Sequence, residues 1–436
     1  MVERGEFLRV PYGAYLHRDI PQEDTELTHV GPGTPCGEYM RRFWQPMAFT
    51  RDLKDLPVRT RLLGEDLVLF RDRSSRVGLL QLHCAHRGTS LEFGQIAERG
   101  IKCCYHGWHF DVDGRILETP GEPSDSTLKD RLFHGAYPAI DYKGIIFAYM
   151  GPPDKKPLLR ELDTFDIPGF RMVEGRAHVM PCNWLQVKEN VMDTAHNAFL
   201  HTIASGVQFT ESFREMGVLD WMETPNGMIS MQTRRIGDNV WVRINDFIPP
   251  NIRQFAPSFE TGEKEKQFNR CLHTLWSVPI DDTHTLNINF FREREGTTDE
   301  QRKAIAAHYV KIGEGGGQTD ERPYENRQRV PGDYDAQVSQ RPIAVHGLEH
   351  LASTDRGVIM VRRIVRDGIR AVARGEDPKG LGRQSKMPLL TYSSDTVLRI
   401  PPSPTPEDDR RLLLKTGRMI ADEFLRNHPT FGAQHA

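Results

Sequence analysis

Cys84-Ala85-His86-Arg87-Gly88 and, after sixteen residues between His86 and Cys103, Cys103-Cys104-Tyr105-His106-Gly107-Trp108 decide how this 436-residue chain reads. Each short stretch offers a thiolate and an imidazole, with a glycine close behind the histidine. Such a set holds a [2Fe–2S] cluster with two Cys on one iron and two His on the other. Neutral imidazoles in place of two thiolates remove negative charge, which raises the reduction potential above that of an all-Cys cluster. The same donors also suit tetrahedral zinc. The Cys103-Cys104 doublet leaves two thiols competing for one ligand position. His83 and His109 flank the set but miss its spacing, and are expected to be surface or packing residues.

An electron-accepting centre calls for an electron sink, and a second constellation follows. Asn183-Trp184 leads into Glu189-Asn190-Val191-Met192-Asp193-Thr194-Ala195-His196, with His201 five residues on. Two histidines and one carboxylate form the facial set that holds non-haem Fe(II) with positions open for O2. On a helix Glu189, Asp193 and His196 share one stripe (i, i+4, i+7). His201 falls about 140° from His196 on a continued helix, so the helix must end or bend near Phe199–His201 if both imidazoles are to meet one metal. The carboxylate is open between a local residue and a distant one.

Together the two constellations resemble the oxygenase α-subunits of the Rieske non-haem iron oxygenases, over nearly the whole chain. Val30-Gly31-Pro32-Gly33-Thr34-Pro35 and Arg41-Arg42-Phe43-Trp44-Gln45-Pro46 resemble the phthalate dioxygenase branch, which includes ring hydroxylases and aromatic-acid O-demethylases. The resemblance implies an α+β fold: a small all-β Rieske [2Fe–2S] domain, then a larger catalytic domain with an antiparallel sheet flanked by helices, of the helix-grip type. It implies Cys84, His86, Cys103 and His106 as cluster ligands, leaving Cys104 as a packed thiol. It makes Thr119-Pro120-Gly121-Glu122-Pro123 a loop that covers the cluster and keeps water from the sulfurs. For the mononuclear iron it implies His196, His201 and Asp355, because Glu349–Asp355 followed by Val358–Arg363 resembles the stretch that carries the family's carboxylate. The competing reading is that Asp355 only caps a helix starting at Arg356. Asp193 would then join His196 to the cluster's His106 across a subunit boundary, which implies a homotrimer.

The bulk numbers are those of an ordinary globular chain, with 38% hydrophobic and 27% charged residues. A net charge of −3 gives no electrostatic case for nucleic acid or an anionic membrane. The longest apolar runs, such as Ile145–Met150, are too short to cross a bilayer. The N-terminus has no apolar signal core, so the expected location is cytoplasmic. Six scattered cysteines suggest no disulfide framework.

Three segments follow along the chain: an extended, loop-rich arm (1–45), the Rieske domain (46–155) and the catalytic domain (156–436). Gly151-Pro152-Pro153-Asp154-Lys155-Lys156-Pro157 marks the second boundary. Val58–Leu63 and Leu67–Phe70 read as a hairpin, and Phe110–Ile116 as another turning at Asp113-Gly114. Trp241–Ile244 and Thr285–Phe291 read as strands of an antiparallel sheet. Thr298-Asp299-Glu300-Gln301 is a capping box opening a helical run through Val310. Thr405-Pro406-Glu407-Asp408 opens a C-terminal helix carrying Leu412, Leu413, Met419, Ile420 and Phe424. Gly313–Gln340 is polar and reads as a long loop or lid.

Glu189 is expected to support the iron site from behind. Asn190 either lines the cavity or bonds backbone. Arg243 is the expected substrate-carboxylate anchor, with an exposed strand arginine as the plain alternative. Trp276, Phe247 and Phe209 are pocket aromatics or core. The expected function is an oxygenase component that uses O2 to oxidise an aromatic acid, by O-demethylation or ring hydroxylation. No G-x-G-x-x-G fingerprint occurs, so its NADH-dependent reductase would be a separate polypeptide. A Rieske electron carrier without oxygenase chemistry is the alternative.

Overall fold

The computed structural model describes residues 11, 22–270, 273–303 and 321–428. Cys271, the run from residue 304 to Val310 and residues 313–320 lie outside them. The fold is α+β.

Three small antiparallel sheets build the first domain, the one expected to be of the Rieske type. One contains Val58–Leu62, Glu65–Arg71, Val77–Gln81 and Ala136–Tyr137, and a second contains Gln95–Ile96, Ile101–Lys102, His109–Phe110 and Ile116–Glu118. The first hairpin pairs Leu62 with Glu65, which leaves a two-residue loop, Leu63-Gly64, with φ of 49° and 78°. Two successive left-handed residues match the right-handed twist of the flanking strands. Phe110 pairs with Ile116 across Asp113-Gly114, as expected. The core of the domain is Val68, Phe70, Leu80, Leu82, Leu91, Ile101, Trp108, Phe110 and Ile116, and Cys84 and Cys103 belong to it.

The third sheet, Gln45–Phe49 with Ile145–Ala148 and Ala139–Tyr142, ties the start of the domain to its end. Residues 22–45 are not an extended arm. Thr25–Thr28 and Pro35–Met40 are helical, and Thr34 caps the latter by accepting from the Gly37 N–H at 3.2 Å. Leu27, Val30, Cys36, Tyr39 and Met40 are fully buried in a core shared with Trp184, Trp276 and Ile288 of the catalytic domain. Apolar side chains this dense bury more surface than a loop could leave exposed.

The catalytic domain carries a nine-stranded antiparallel sheet. Its strands are β1 (Phe170–Met180), β2 (Val218–Glu223), β3 (Met228–Ile236), β4 (Asn239–Ile248), β5 (Ile252–Gln254), β6 (Lys266–Arg270), β7 (His273–Asp281), β8 (His284–Arg294) and β9 (Ser394–Arg399). Their order is β1-β8-β7-β5-β4-β3-β2, with β9 pairing β4 and β6. Five helical segments matter below: α1 (Trp184–Glu189), α2 (His196–Ala198), α3 (Asp333–Val338), α4 (Arg356–Ala373) and α5 (Pro406–Arg426). The capping box at Thr298 and Gln301 is present in both directions, at 2.8 and 3.2 Å. Helix α5 opens with Thr405 accepting from Asp408 N–H at 3.1 Å, and it buries Leu413, Ile420 and Phe424 against β2, β3 and β4. Met419, expected on that face, is half exposed. The described part of the supposed lid is also ordered differently: residues 324–329 and 333–338 are helical.

Candidate metal centres

The two cluster loops share one construction. Gly88 N–H donates to Cys84 O at 2.8 Å and Gly107 N–H to Cys103 O at 3.0 Å, closing turns of equal length. Both glycines are left-handed, with φ of 75° and 71°. A side chain at Gly107 would also meet Pro120 at 3.2 Å, so the proline loop lies directly over the second turn. Cys84 and Cys103 are buried beside one another. Burial, together with the neighbouring Cys103 thiol, pushes Cys84 up to about 11, so a metal must displace its proton to bind. The His86 and His106 ring centroids are 4.5 Å apart, and His86 stacks on Trp108 at 4.7 Å. Desolvation, His86 and Arg87 together hold His106 below the usual imidazole range, which keeps it neutral for ligation. The thiols thus face the core, with the imidazoles on the outer side.

Cys104 is exposed, not packed. Its neighbour takes the inward position, and the turn sends adjacent side chains to opposite sides. His83 is a surface residue with Nδ1 3.1 Å from Gly88 O, and buried His109 packs with a contact to the Arg99 carbonyl.

The second group gathers on the other domain. Helix α2 gives way at Phe199–Ala204 to a π-helical turn. Its i→i+5 hydrogen-bond pattern brings residues five apart onto one side, which is the bend that His196 and His201 require. Their ring centroids stand 5.2 Å apart. The carboxylate beside them is Asp333, the first residue of α3, and ligand atoms of the three lie within 4.8 Å of one another. Asp333 Oδ1 is 3.6 Å from His196 Nε2, and Oδ2 is 3.5 Å from His201 Nε2. Metal bonds of about 2.1 Å at right angles separate donors by roughly 3 Å, so small shifts would close the set on one ion.

Neighbouring groups fix which nitrogens face that ion. His196 Nδ1 donates to the Asp193 backbone carbonyl, and His201 Nδ1 donates to Gln208 Oε1 at 2.7 Å. Both Nε2 atoms are thereby turned inward. The Asn197 amide contacts His196 Nε2 at 3.1 Å and would yield that lone pair to a metal. Burial disfavours the His196 cation, but Asp193 and Asp333 outweigh it and hold His196 above its ordinary value. The donor set suits Fe(II).

Sequence comparison adds the lineage. The family model for the Rieske [2Fe-2S] domain matches residues 43–132. Over 94% of its length the chain is 42% identical to the "Tert-butanol monooxygenase / tert-amyl alcohol desaturase oxygenase subunit" of Aquincola tertiaricarbonis, covering 90% of that protein. This protein is a Rieske non-haem iron oxygenase. It is also 37% identical to the phenoxybenzoate dioxygenase subunit alpha of Ectopseudomonas oleovorans, over 84% of this chain and 90% of that one. A third relative is the 5,5'-dehydrodivanillate O-demethylase oxygenase subunit of Sphingobium sp. (strain NBRC 103272 / SYK-6), 31% identical over 86% of this chain and 88% of that one. As a member the oxygenase carries a [2Fe–2S] cluster and a mononuclear iron, and it draws on O2 and a reductase partner.

Among the other expected residues of this oxygenase, Asp355 is not beside the histidines. Its carboxylate accepts from Ala352 N–H at 2.7 Å, closing the turn before α4. Asp333 stands in the place expected of it. The region after Asp355 supports the site differently: a side chain on Gly357 would strike Met192 O and Trp221 Nε1, so α4 packs onto the strand of chain leading to Asp193. Glu189 does back the site, paired with Arg362 at 2.5 and 2.9 Å, while Arg362 also reaches Glu349 at 2.9 Å. Asn190 lies next to the metal group, donating to Asp333 Oδ1 at 3.1 Å. Asp193 is partly exposed with Oδ2 3.7 Å from His196 Nδ1.

Arg243 is held elsewhere. It donates to Ala256 O at 2.9 Å and lies over the Phe213 ring, which is separated from His201 by Phe209. Of the three aromatics, Phe209 packs on His201 at 4.8 Å. Trp276 faces Phe147 and Phe165 between the domains, and Phe247 is core. Gln208 and Asp333 were missed from sequence. Gln208 lies seven residues past His201, outside any motif, and Asp333 lies far along the chain.

Proposed function

We propose that this oxygenase component oxidises an aromatic carboxylic acid, by O-demethylation of a methoxyaryl acid or by ring hydroxylation. The observation that carries the reading is the His196–His201–Asp333 group, with Asn190 on Asp333 and Phe209 on His201. Two of the relatives are named for aryl acids, and one of these for O-demethylation. Cys84, His86, Cys103 and His106 hold the cluster in this reading, and His196, His201 and Asp333 hold the iron. When bound, these groups supply electron transfer and O2 activation.

The chain's own residues do the positioning. His86 and His106 sit on the outer side of their domain, where a neighbouring subunit or a reductase has access. Asp193, partly exposed beside His196, accepts a hydrogen bond from the cluster histidine of an adjacent protomer, which couples the centres in a homotrimer. Electrons originate from NADH through the separate reductase, in the cytoplasm. Phe209 gives an apolar wall that excludes water from one side of the metal. For demethylation, one oxygen atom enters the methoxy carbon and the other leaves as water, with a pair of electrons and a pair of protons. The resulting hemiacetal then splits into a phenol and formaldehyde.

A second reading is oxidation of a branched alcohol, favoured by the relative of 42% identity. Uptake of labelled O2 with methoxybenzoates, phthalates and tert-butanol separates them. Formaldehyde from a methoxybenzoate supports the first reading, and turnover of the alcohol alone overturns it. His196→Ala must abolish oxidation while leaving the cluster spectrum; full activity of that variant refutes the oxygenase site and revives the electron-carrier alternative.

A further inference from the structure

The geometry points to an anion subsite beside the metal group, formed by Lys188 and Arg253, that takes the carboxylate of an organic acid. The inference rests on the aromatic-acid reading for its substrate, and on two side chains for its chemistry.

Lys188 lies on the last turn of α1, two residues before Asn190, and is fully buried. Its Nζ has no hydrogen-bond partner among the described residues. Arg253, on β5, approaches from the sheet side: its Nη1 reaches Asn190 Oδ1 at 3.5 Å, its guanidinium lies 5.9 Å from the Phe255 ring, and its Nε is also unpartnered among the described residues. Asn190 in turn donates to Asp333 Oδ1 at 3.1 Å. A cation, an amide and a prospective metal ligand therefore stand in one row, and Lys188 lies within reach of the Arg253 charge.

The charges around this place do not balance. Burial disfavours the protonated form of both, and Arg253 further disfavours that of Lys188. Among the described residues Asp333 is the carboxylate that offsets Arg253, and a metal would claim it. His273, which packs edge-on to Phe255 at 4.7 Å, is held neutral by burial and by Arg253, down to about 3. A buried ammonium without a partner is costly unless something brings the missing negative charge. A carboxylate accepting from Arg253 and Lys188 supplies it, and a guanidinium with a free Nε edge suits such an anion. The ring attached to that carboxylate would then extend toward His196 and His201, along the row marked by Asn190. Recognition by an orphaned pair of cations would discriminate acids from neutral analogues of the same shape.

The test uses the full-length holoenzyme under anaerobic conditions, titrated calorimetrically with benzoate, 4-methoxybenzoate and neutral benzamide. Lys188→Met and Arg253→Gln should each weaken benzoate binding about tenfold or more, with benzamide binding unchanged. Lys188→Met should also raise the thermal midpoint of the ligand-free protein, since it removes a buried amine without a hydrogen-bond partner among the described residues. Opposite signs on stability and anion affinity exclude misfolding as the cause. Lys188→Arg should restore part of the affinity. Equal benzoate affinity in wild type and both variants overturns the subsite. Acids bound through the two cations but never oxidised would leave the subsite standing and defeat the aromatic-acid substrate.

Discussion

Gln208 should control how tightly the protein holds its mononuclear iron. Its side-chain amide does two things at once: Oε1 accepts from His201 Nδ1 at 2.7 Å, and Nε2 donates to the Pro331 carbonyl at 3.1 Å. Pro331 lies two residues before Asp333, and Ser205 Oγ also donates to its carbonyl, at 2.5 Å. One amide therefore fixes the ring of one ligand and the turn presenting another. Gln208→Leu removes both hydrogen bonds, each contributing about 1 kcal/mol net. The sum, roughly 2 kcal/mol, corresponds to a loss in metal affinity of about 30-fold, inside the range of about 10–100-fold seen when a ligand's hydrogen-bond partner is removed. Competition with a calibrated Fe(II) chelator measures it, with the cluster absorbance as internal control. Gln208→Glu, which keeps an acceptor for His201, should retain most of the affinity. Unchanged iron affinity in Gln208→Leu would refute the idea that this amide sets the geometry.

Other outcomes follow from the same contacts. Cys103→Ser should abolish the cluster spectrum, whereas Cys104→Ser, at the exposed neighbour, should leave it intact. Arg362→Met strands the Glu189 and Glu349 carboxylates behind α1 and should cost about 3–5 kcal/mol in urea unfolding, the scale for breaking a buried pair. Asp72 and Asp111 in the Rieske domain give a pH dependence. Burial works against their charge, but hydrogen bonds from backbone and from Arg76, with Arg99 on Asp111, hold both below the ordinary carboxylate value. Their stabilisation is thus full above the unfolded value near 3.8 and is lost as pH falls through the lower folded values. Acid unfolding of Asp111→Asn should accordingly be less steep than that of wild type, and an unchanged slope would contradict this.

Short-range chemistry was the legible part. The cluster loops announce themselves because four ligands and two glycines lie within 24 residues of sequence, from Cys84 to Gly107. The break at Phe199–Ala204 was also legible, because helical periodicity alone forbids His196 and His201 from sharing a side, and a π-helical turn resolves the conflict. Asp333 was not legible. It sits more than a hundred residues from His201, in a polar stretch that reads as loop, and its short helix has no apolar stripe to betray it. Asp355 offered a better local pattern, but that pattern describes a turn and a helix start. Arg243 failed for a different reason: strand alternation says which face a side chain takes, not which layer of aromatics lies between it and a site. Residues 22–45 misled because glycine and proline suggested a loop, while Leu27, Val30, Tyr39 and Met40 were the better guide.

Iron stoichiometry in paired variants tests the two-centre account most directly. Asp333→Asn should purify with its cluster intact but with about two irons per chain in place of three, and Asp355→Asn should keep all three. A third iron retained by Asp333→Asn, or lost from Asp355→Asn, would contradict it.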